Sequence, residues 1–235
     1  LSNNGAKEVT LLGQNVSSYN SEIFEDGVKK KVSLGYLCSI LTKINGLKRI
    51  RYLTSHPNDI DQNLINEHKE NSKMMPFLHL PVQAGSNKIL KNMNRKHTRE
   101  FYLRLIKKIK ENVADMAFSS DFIVGFPGET KQAFNNTLKL VHDVNYCQAY
   151  SFKYSRRPGT PGSILQGQVP EEIKTERLAE LQGILNEQQL NFNRKFIGQK
   201  FDILLERNGK KDNQLVGKSP YMQAVHVISK DHKIG

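Results

Sequence analysis

The sequence predicts an α/β fold followed by a small β-barrel that is cut short. Over most of the chain, short runs rich in β-branched and aromatic residues alternate with stretches of helical periodicity. This alternation predicts βαβ units, with a parallel sheet and helices packed outside it. After Gly198 the pattern changes to short strand-like runs separated by turn residues. We therefore predict one unit over residues 1–195 and a second over residues 196–235.

Five runs are predicted to form the parallel strands, because each is short, apolar and bounded by polar or turn-forming residues. They are residues 8–12, 49–53, 75–80, 117–124 and 146–154.

Three segments have helical periodicity. In the first two, a threonine stands where the amino-terminal cap is expected, Thr98 and Thr130. Their apolar faces are predicted to contain Tyr102, Leu105, Ile106 and Ile109 in the first, and Phe134, Leu138 and Val141 in the second. The third begins at Pro170, and its apolar stripe contains Leu178, Leu181 and Leu185.

The second unit contains three strand-like runs, at residues 201–206, 214–217 and 224–228. Turn residues such as Asn208-Gly209 separate them. This pattern is typical of a small β-barrel or of its first strands.

A polar or glycine-rich loop follows each of the five predicted strands. The loops lie at residues 13–15, 54–57, 81–86, 125–129 and 155–159. In a parallel α/β barrel the active face is built from such loops. Any single loop could be polar merely because loops generally are, but five together indicate a ligand-binding face.

The overall composition favours a soluble protein that binds polyanions. The formal charge is +12 and the pI is about 9.6, which attracts nucleic acid, although lysine-rich coding gives the same balance. No apolar run has the length of a membrane span, and no signal-peptide pattern opens the chain, so we expect a cytoplasmic protein. Cys38 and Cys147 are far apart and have no metal-type spacing.

Three other site types find no support. The segment from Gly125 to Lys131 looks like a phosphate loop but lacks the Gly-Lys-Ser/Thr ending. No Ser/His/Asp set can be recognised as a triad, and the seven histidines are scattered.

The loops carry a specific resemblance. In order and spacing, five runs resemble the radical S-adenosylmethionine methylthiotransferases: LLGQNVSSY, TSHP, HLPVQAGSNKILKNMNRKHT, SSDFIVGFPGET and YSRRPGTP. The resemblance implies a partial TIM-like barrel and a truncated RNA-binding β-barrel of the TRAM type. It also implies S-adenosylmethionine and [4Fe-4S] clusters as cofactors, tRNA as partner, and a monomer when full length. The implied reaction is 2-methylthiolation of N6-isopentenyladenosine beside the anticodon.

The resemblance also assigns five cofactor-binding residues. Gln14 would approach the amino group of the methionine part, and Gln83 and Asp121 would bind the ribose hydroxyls. Arg95 would hold the methionine carboxylate in a bidentate fork. Gly125 would allow the backbone to approach the adenine. The two glutamines could instead bond loop backbone, and Arg95 could be a phosphate contact or a solvated charge.

Arg156 and Arg157 are candidate contacts to tRNA phosphate, although an ordinary exposed pair would look the same. His56 and His79 are interpreted as structural histidines, and Glu129 as a carboxylate favoured at a helix start.

The resemblance places the cluster cysteines upstream of Leu1. We therefore expect this chain alone to hold no cluster and to be inactive, with an open edge at its first strand that makes it prone to aggregate. Two alternatives stay open: action on threonylcarbamoyl-adenosine in tRNA, and a non-catalytic RNA-binding remnant. An aldolase-like barrel would need a catalytic lysine in a strand, for which Lys153 is a poor candidate.

Overall fold

Five parallel strands follow one another across the molecule in the order of the sequence. The structure is a computed structural model that describes residues 1–25, 27–200 and 202–235. Its strands are β1 (Glu8–Leu11), β2 (Asn20–Glu25), β3 (Val28–Ser33), β4 (Arg49–Tyr52), β5 (Phe77–His79), β6 (Ala117–Val124), β7 (Gln148–Lys153), β8 (Leu204–Asn208), β9 (Gln214–Lys218) and β10 (Ala224–Ile228). Its helices are α1 (Leu34–Thr42), α2 (Gln62–Glu70), α3 (Asn87–Asn92), α4 (Arg99–Asn112), α5 (Lys131–Val144), α6 (Pro161–Ile164) and α7 (Glu171–Arg194).

The parallel strands fall into two paired groups joined by one bridge. β1 pairs with β4, and β5, β6 and β7 pair in that order, all in parallel. A parallel bridge between Ile50 and Met74 connects the groups. The five predicted strands are therefore confirmed, with ends that differ by a few residues, but the described strands do not close into a barrel.

One face of this sheet is covered by helices. Thr98 accepts a hydrogen bond from Phe101 N and Thr130 one from Ala133 N, both at 3.2 Å, which confirms the two predicted caps. Helical side chains then pack on the even-numbered residues of β6, of which Phe118 and Phe122 are almost completely buried. The predicted apolar faces of α4 and α5 are buried as expected, except for Leu138, which is partly buried.

An antiparallel hairpin, β2–β3, stands between β1 and α1 and was not predicted. Its strands are mostly polar, so they lack the apolar alternation that identifies a strand. The sequence pair Asp26-Gly27 was the available signal, because Asp-Gly is typical of hairpin turns.

The C-terminal part is one long helix and a three-stranded antiparallel sheet. α7 begins after Pro170 as predicted, and Leu181 and Leu185 are buried against the core. The sheet has the order β10-β9-β8 and is open in the described residues, so a closed small barrel is not formed. The predicted strand at residues 201–206 lies at Leu204–Asn208 instead, and Phe201 lies outside the described residues.

Two buried arginines join this C-terminal sheet to the parallel sheet. Arg49 donates to the carbonyls of Lys218 at 2.8 Å and Asp202 at 2.6 Å. Arg51 donates to the carbonyls of Pro220 and Ser219, both at 2.8 Å. The C-terminal segment, residues 202–235, therefore covers the amino end of the sheet face that the helices leave open.

Side chains alternate across each strand, which defines that second face. At its amino end Phe77 and Ala117 pack with Tyr221 and Met222 of the C-terminal segment. At its carboxyl end lie side chains that the C-terminal segment does not cover, among them Asp121. Among the described residues, no helix is long and apolar enough to cross a membrane.

Candidate functional site

The site begins where β5 and β6 carry polar side chains on the open face. His79 and Ser119 are opposite each other in the strand register, and the imidazole Nδ1 lies 2.5 Å from the Ser119 hydroxyl. The other ring nitrogen, Nε2, lies 3.6 Å from Oδ2 of Asp121. The His79 ring is therefore held by Ser119 and lies beside the Asp121 carboxylate without a hydrogen bond to it.

Gln83 is fixed beside Asp121 by two backbone hydrogen bonds. Its N–H donates to the carbonyl of Asp121 and its carbonyl accepts from Ile123 N, both at 3.0 Å. The residue has φ = 77°, a left-handed backbone conformation that is strained for any residue other than glycine. The loop after β5 is therefore held against β6 in one particular geometry.

Arg95 lies in the short connection between α3 and α4, and its backbone N–H donates to Leu90 O at 2.8 Å. Its Nε is buried and has no hydrogen-bond partner among the described residues. Burial lowers the pKa of the guanidinium, and the nearby negative charge of Asp121 opposes that shift. A carboxylate that approached the guanidinium would satisfy this donor.

His97 is a further site residue, one that the sequence interpretation missed. It is 5% exposed, and neither ring nitrogen has a well-formed hydrogen bond within the described residues, although the Val82 carbonyl lies nearby. Burial, and then the positive charges of His56 and Arg95, lower its pKa to about 4. The ring is therefore neutral at physiological pH. Its only signal in the sequence was its position two residues after Arg95.

The loops after β1 and β4 meet beside Arg95 and His97. His56 contacts the His97 ring at a centroid distance of 5.5 Å, and its backbone N–H donates to Asn15 Oδ1 at 3.1 Å. Gln14, the neighbour of Asn15, is exposed and has no side-chain partner among the described residues. The structure thus brings Gln83, Arg95 and Asp121 together, while Gln14 lies on the adjacent loop.

Gly125 follows β6 with φ = 71°, a conformation that favours glycine. Its N–H donates to Oε2 of Glu129 at 2.7 Å, and a Cβ here would collide with the side chain of Lys174. Glu129 is buried and also accepts from Arg177 Nη1 at 2.7 Å. Burial raises the Glu129 pKa, opposed by the Gly125 N–H and Arg177. Glu129 therefore braces the glycine turn.

The two arginines after β7 differ from each other. Arg156 Nε donates to Ser163 O at 2.7 Å and so ties its own loop together. Arg157 is exposed, and its guanidinium has no partner among the described residues. Arg157 lines a cleft of about 840 Å³ that also contains Arg95.

Neither cysteine fits an iron–sulfur cluster. Cys38 and Cys147 are both buried, on α1 and just before β7, and burial raises the pKa of each thiol to about 12. Cluster ligands are thiolates, which these groups do not supply. Within the described ranges there is also no group of three or more His, Cys, Asp or Glu that could hold a metal ion.

The residues do fit S-adenosylmethionine. This molecule has a carboxylate and a ribose diol. Among the described residues, the site offers a guanidinium whose buried Nε has no hydrogen-bond partner, and a carboxylate that lies 3.6 Å from a histidine ring.

Comparison with known proteins supports the same cofactor. Residues 1–141 match the pattern of the radical SAM superfamily. A protein of Wolbachia pipientis subsp. Culex pipiens (strain wPip), named tRNA-2-methylthio-N(6)-dimethylallyladenosine synthase, is 56% identical over 231 residues, which are 98% of this chain and 52% of that protein. A protein of the same name from Rickettsia canadensis (strain McKiel) is 53% identical and covers 95% of this chain and 50% of its own length. The chain thus spans about half the length of the curated relatives it matches.

Two solved structures resemble the fold. Coproporphyrinogen III oxidase (HemN) of Escherichia coli, a radical SAM enzyme, has a TM-score of 0.52 at 17% identity, covering 77% of this chain and 47% of that one. Elp3 of Methanocaldococcus infernus has a TM-score of 0.50 at 12% identity, covering 89% and 64%. At these identities the likeness concerns the fold alone.

Proposed function

The chain belongs to the radical SAM superfamily, and we propose that it carries the S-adenosylmethionine-binding part of an enzyme that methylthiolates N6-dimethylallyladenosine in tRNA. The relatives named above carry this substrate in their names, which favours it over threonylcarbamoyl-adenosine.

One observation carries the proposal: the buried, unpartnered Nε of Arg95 lies within the electrostatic reach of Asp121. The guanidinium would hold the methionine carboxylate. The carboxylate of Asp121, which lies beside the His79 ring, would accept a hydrogen bond from a ribose hydroxyl. Gln83, whose backbone is locked to β6, would bind the second hydroxyl.

The remaining predicted residues have supporting roles in this proposal. Gln14, exposed on the loop after β1, would reach the amino group of the methionine part. Gly125 would present its backbone to the adenine at the end of β6, and Glu129 would keep that turn in place. S-adenosylmethionine, when bound, supplies the methyl group and the radical chemistry of the superfamily.

The tRNA partner is supported by charge. The chain has a formal charge of +12, and Arg157 offers an unpartnered guanidinium beside the cleft. We propose that the three-stranded C-terminal sheet belongs to a TRAM-type RNA-binding unit, as the resemblance implies.

Calorimetric titration of this chain with S-adenosylhomocysteine, an unreactive analogue with the same carboxylate and ribose, tests the cofactor site. We expect measurable binding that weakens about tenfold or more in D121N, because an amide accepts a hydroxyl proton less strongly than a carboxylate does. The matched control is D231N, at an exposed carboxylate near the end of the chain. Absence of binding, or equal affinity of D121N and the unchanged chain, would contradict the assignment.

The reaction itself is tested on the complete gene. Mass spectrometry of tRNA nucleosides should show loss of the methylthiolated dimethylallyladenosine in a deletion strain. Restoration by the intact gene, but not by one carrying D121N, would support the proposal. An unchanged nucleoside profile in the deletion strain would contradict it.

A further inference from the structure

Resting on the proposed function, we propose that Tyr150 and Phe152 of β7 form the platform on which a base of the RNA substrate stacks. The two aromatic side chains belong to the same face of the sheet, because they are two residues apart on one strand. The proposed cofactor contacts involve neither ring.

Their position beside the cofactor residues is set by the strand register. Tyr150 is directly opposite Asp121 on β6, and Phe152 is opposite Ile123. Neighbouring parallel strands place such partners on the same face, so the two rings continue the row that contains the Asp121 carboxylate. A base stacked there would lie next to the proposed cofactor site.

Both rings are unusually open for their place in the fold. Tyr150 is 50% exposed and Phe152 is 55% exposed, whereas Ser120, Phe122 and Val124 on the other face of the neighbouring strand β6 are buried. The Tyr150 hydroxyl is held by Gln148 Nε2 at 2.5 Å, which limits its movement. Aromatic rings on the surface of a sheet are a common platform on which proteins stack single-stranded bases.

The adjoining cleft has a size and lining that suit a nucleoside. Its volume is about 840 Å³, within the range of small-molecule sites. Phe152 lies in its wall with Met93, Ile123 and Phe126, which offer apolar surface to an alkyl substituent on the base. Tyr154 lines it too, and the hydroxyl of that residue is buried without a partner among the described residues.

The charge of Arg157 favours RNA, and not the adenine of the cofactor, as the ligand of the aromatic pair. Arg157 lines the same cleft, and its guanidinium has no partner in the part of the chain that the structure describes, so a phosphodiester would satisfy it. S-adenosylmethionine has no phosphate, and its one carboxylate is already assigned to Arg95. We therefore assign the aromatic pair to the RNA.

Fluorescence anisotropy with a synthetic RNA hairpin whose loop contains N6-dimethylallyladenosine tests this assignment. We expect F152A to weaken binding about tenfold and F152W to retain it, because stacking needs a ring and tolerates a larger one. The matched control is F24A, since Phe24 is 76% exposed on the β2–β3 hairpin. Its loss should leave RNA affinity unchanged.

The same variants are titrated with S-adenosylhomocysteine to separate the two purine sources. Affinity for this analogue should be the same in F152A and in the unchanged chain. Loss of analogue binding with unchanged RNA binding would overturn the inference and assign the rings to the cofactor. Equal RNA binding by F152A, F24A and the unchanged chain would overturn it while leaving the proposed function intact. If the unchanged chain bound the analogue but no RNA, this inference would fail and the tRNA part of the proposed function with it.

Discussion

The two ends of the open sheet face use arginines in different ways. At the amino end, both terminal nitrogens of the buried Arg49 and Arg51 donate to carbonyls of the C-terminal segment. At the carboxyl end, Arg95 is half-buried and its Nε has no hydrogen-bond partner among the described residues, where neither ring nitrogen of the neighbouring His97 has a well-formed hydrogen bond.

Leaving a buried donor unpaired costs about 1–3 kcal/mol. The Nε of Arg51 also lacks a hydrogen bond but lies 3.1 Å from the Glu8 carboxylate, whereas no ion pair to Arg95 is formed within the described residues. In the proposed function, the carboxylate of the ligand would compensate Arg95. Four predictions test the comparison, beginning with the largest expected effect.

The largest effect is expected at the amino end. Arg51 is 4% exposed, and its Nε also lies 3.1 Å from Glu8 Oε2. R51M leaves this carboxylate and two carbonyls buried and unpaired, so we expect the free energy of unfolding to fall by about 3–5 kcal/mol. Urea unfolding followed by circular dichroism measures it, with R104M at an exposed arginine as the control. A loss no larger than that of R104M would show that the C-terminal segment is not held by this residue.

At the carboxyl end, the corresponding change should affect the ligand instead of stability. R95M removes the donor proposed for a carboxylate, so affinity for S-adenosylhomocysteine should fall about 10- to 100-fold, as expected for a charged hydrogen bond. Because its Nε has no hydrogen-bond partner among the described residues, urea unfolding without the analogue should change little. A stability loss as large as that of R51M would remove the distinction between the two ends.

The pH dependence of stability sharpens the comparison further. The pKa of His97 is lowered from 6.5 to about 4, so the unfolded chain binds a proton that the folded chain does not. Its stabilising contribution is present near pH 7 and is lost as the pH falls from 6.5 towards 4. Between pH 7 and pH 5, H97Q should therefore lose about 1–2 kcal/mol less unfolding free energy than the unchanged chain. H142Q, at an exposed histidine, should follow the unchanged chain. Parallel pH curves for H97Q and the unchanged chain would contradict a neutral buried imidazole.

The smallest effect is expected at Thr98, next to the same site. Thr98 caps α4 through Phe101 N, so T98A should lower the free energy of unfolding by about 1 kcal/mol. Ligand affinity should be unchanged, because the side chain is exposed and points to the helix. T98S, which keeps the hydroxyl, is the control. A large loss of analogue affinity in T98A would mean that ligand binding reports local stability and not specific contacts.

Local patterns predicted the parallel strands and the helix caps, because periodicity and capping act over a few residues. The β2–β3 hairpin was missed because its strands are polar. The hydrogen bonds of Arg49 and Arg51 could not be predicted from the sequence, because their partners lie more than 150 residues away along the chain.

Within the site, the resemblance marked Arg95, Asp121 and Gln83, but geometry alone distinguished Arg156 from Arg157. Arg156 bonds to Ser163 in its own loop, whereas Arg157 has no such partner. His97 was missed because a lone histidine in a polar loop has no distinguishing pattern. Burial is what makes it notable, and burial depends on how distant loops meet.

The attachment of the C-terminal segment has an evolutionary consequence. The C-terminal acceptors of Arg49 and Arg51 are all main-chain carbonyls, a group that every residue possesses. As far as these four hydrogen bonds are concerned, the side chains of the accepting residues can be replaced over generations without loss of the contact. The two arginines have no such freedom, because their guanidinium groups are the donors.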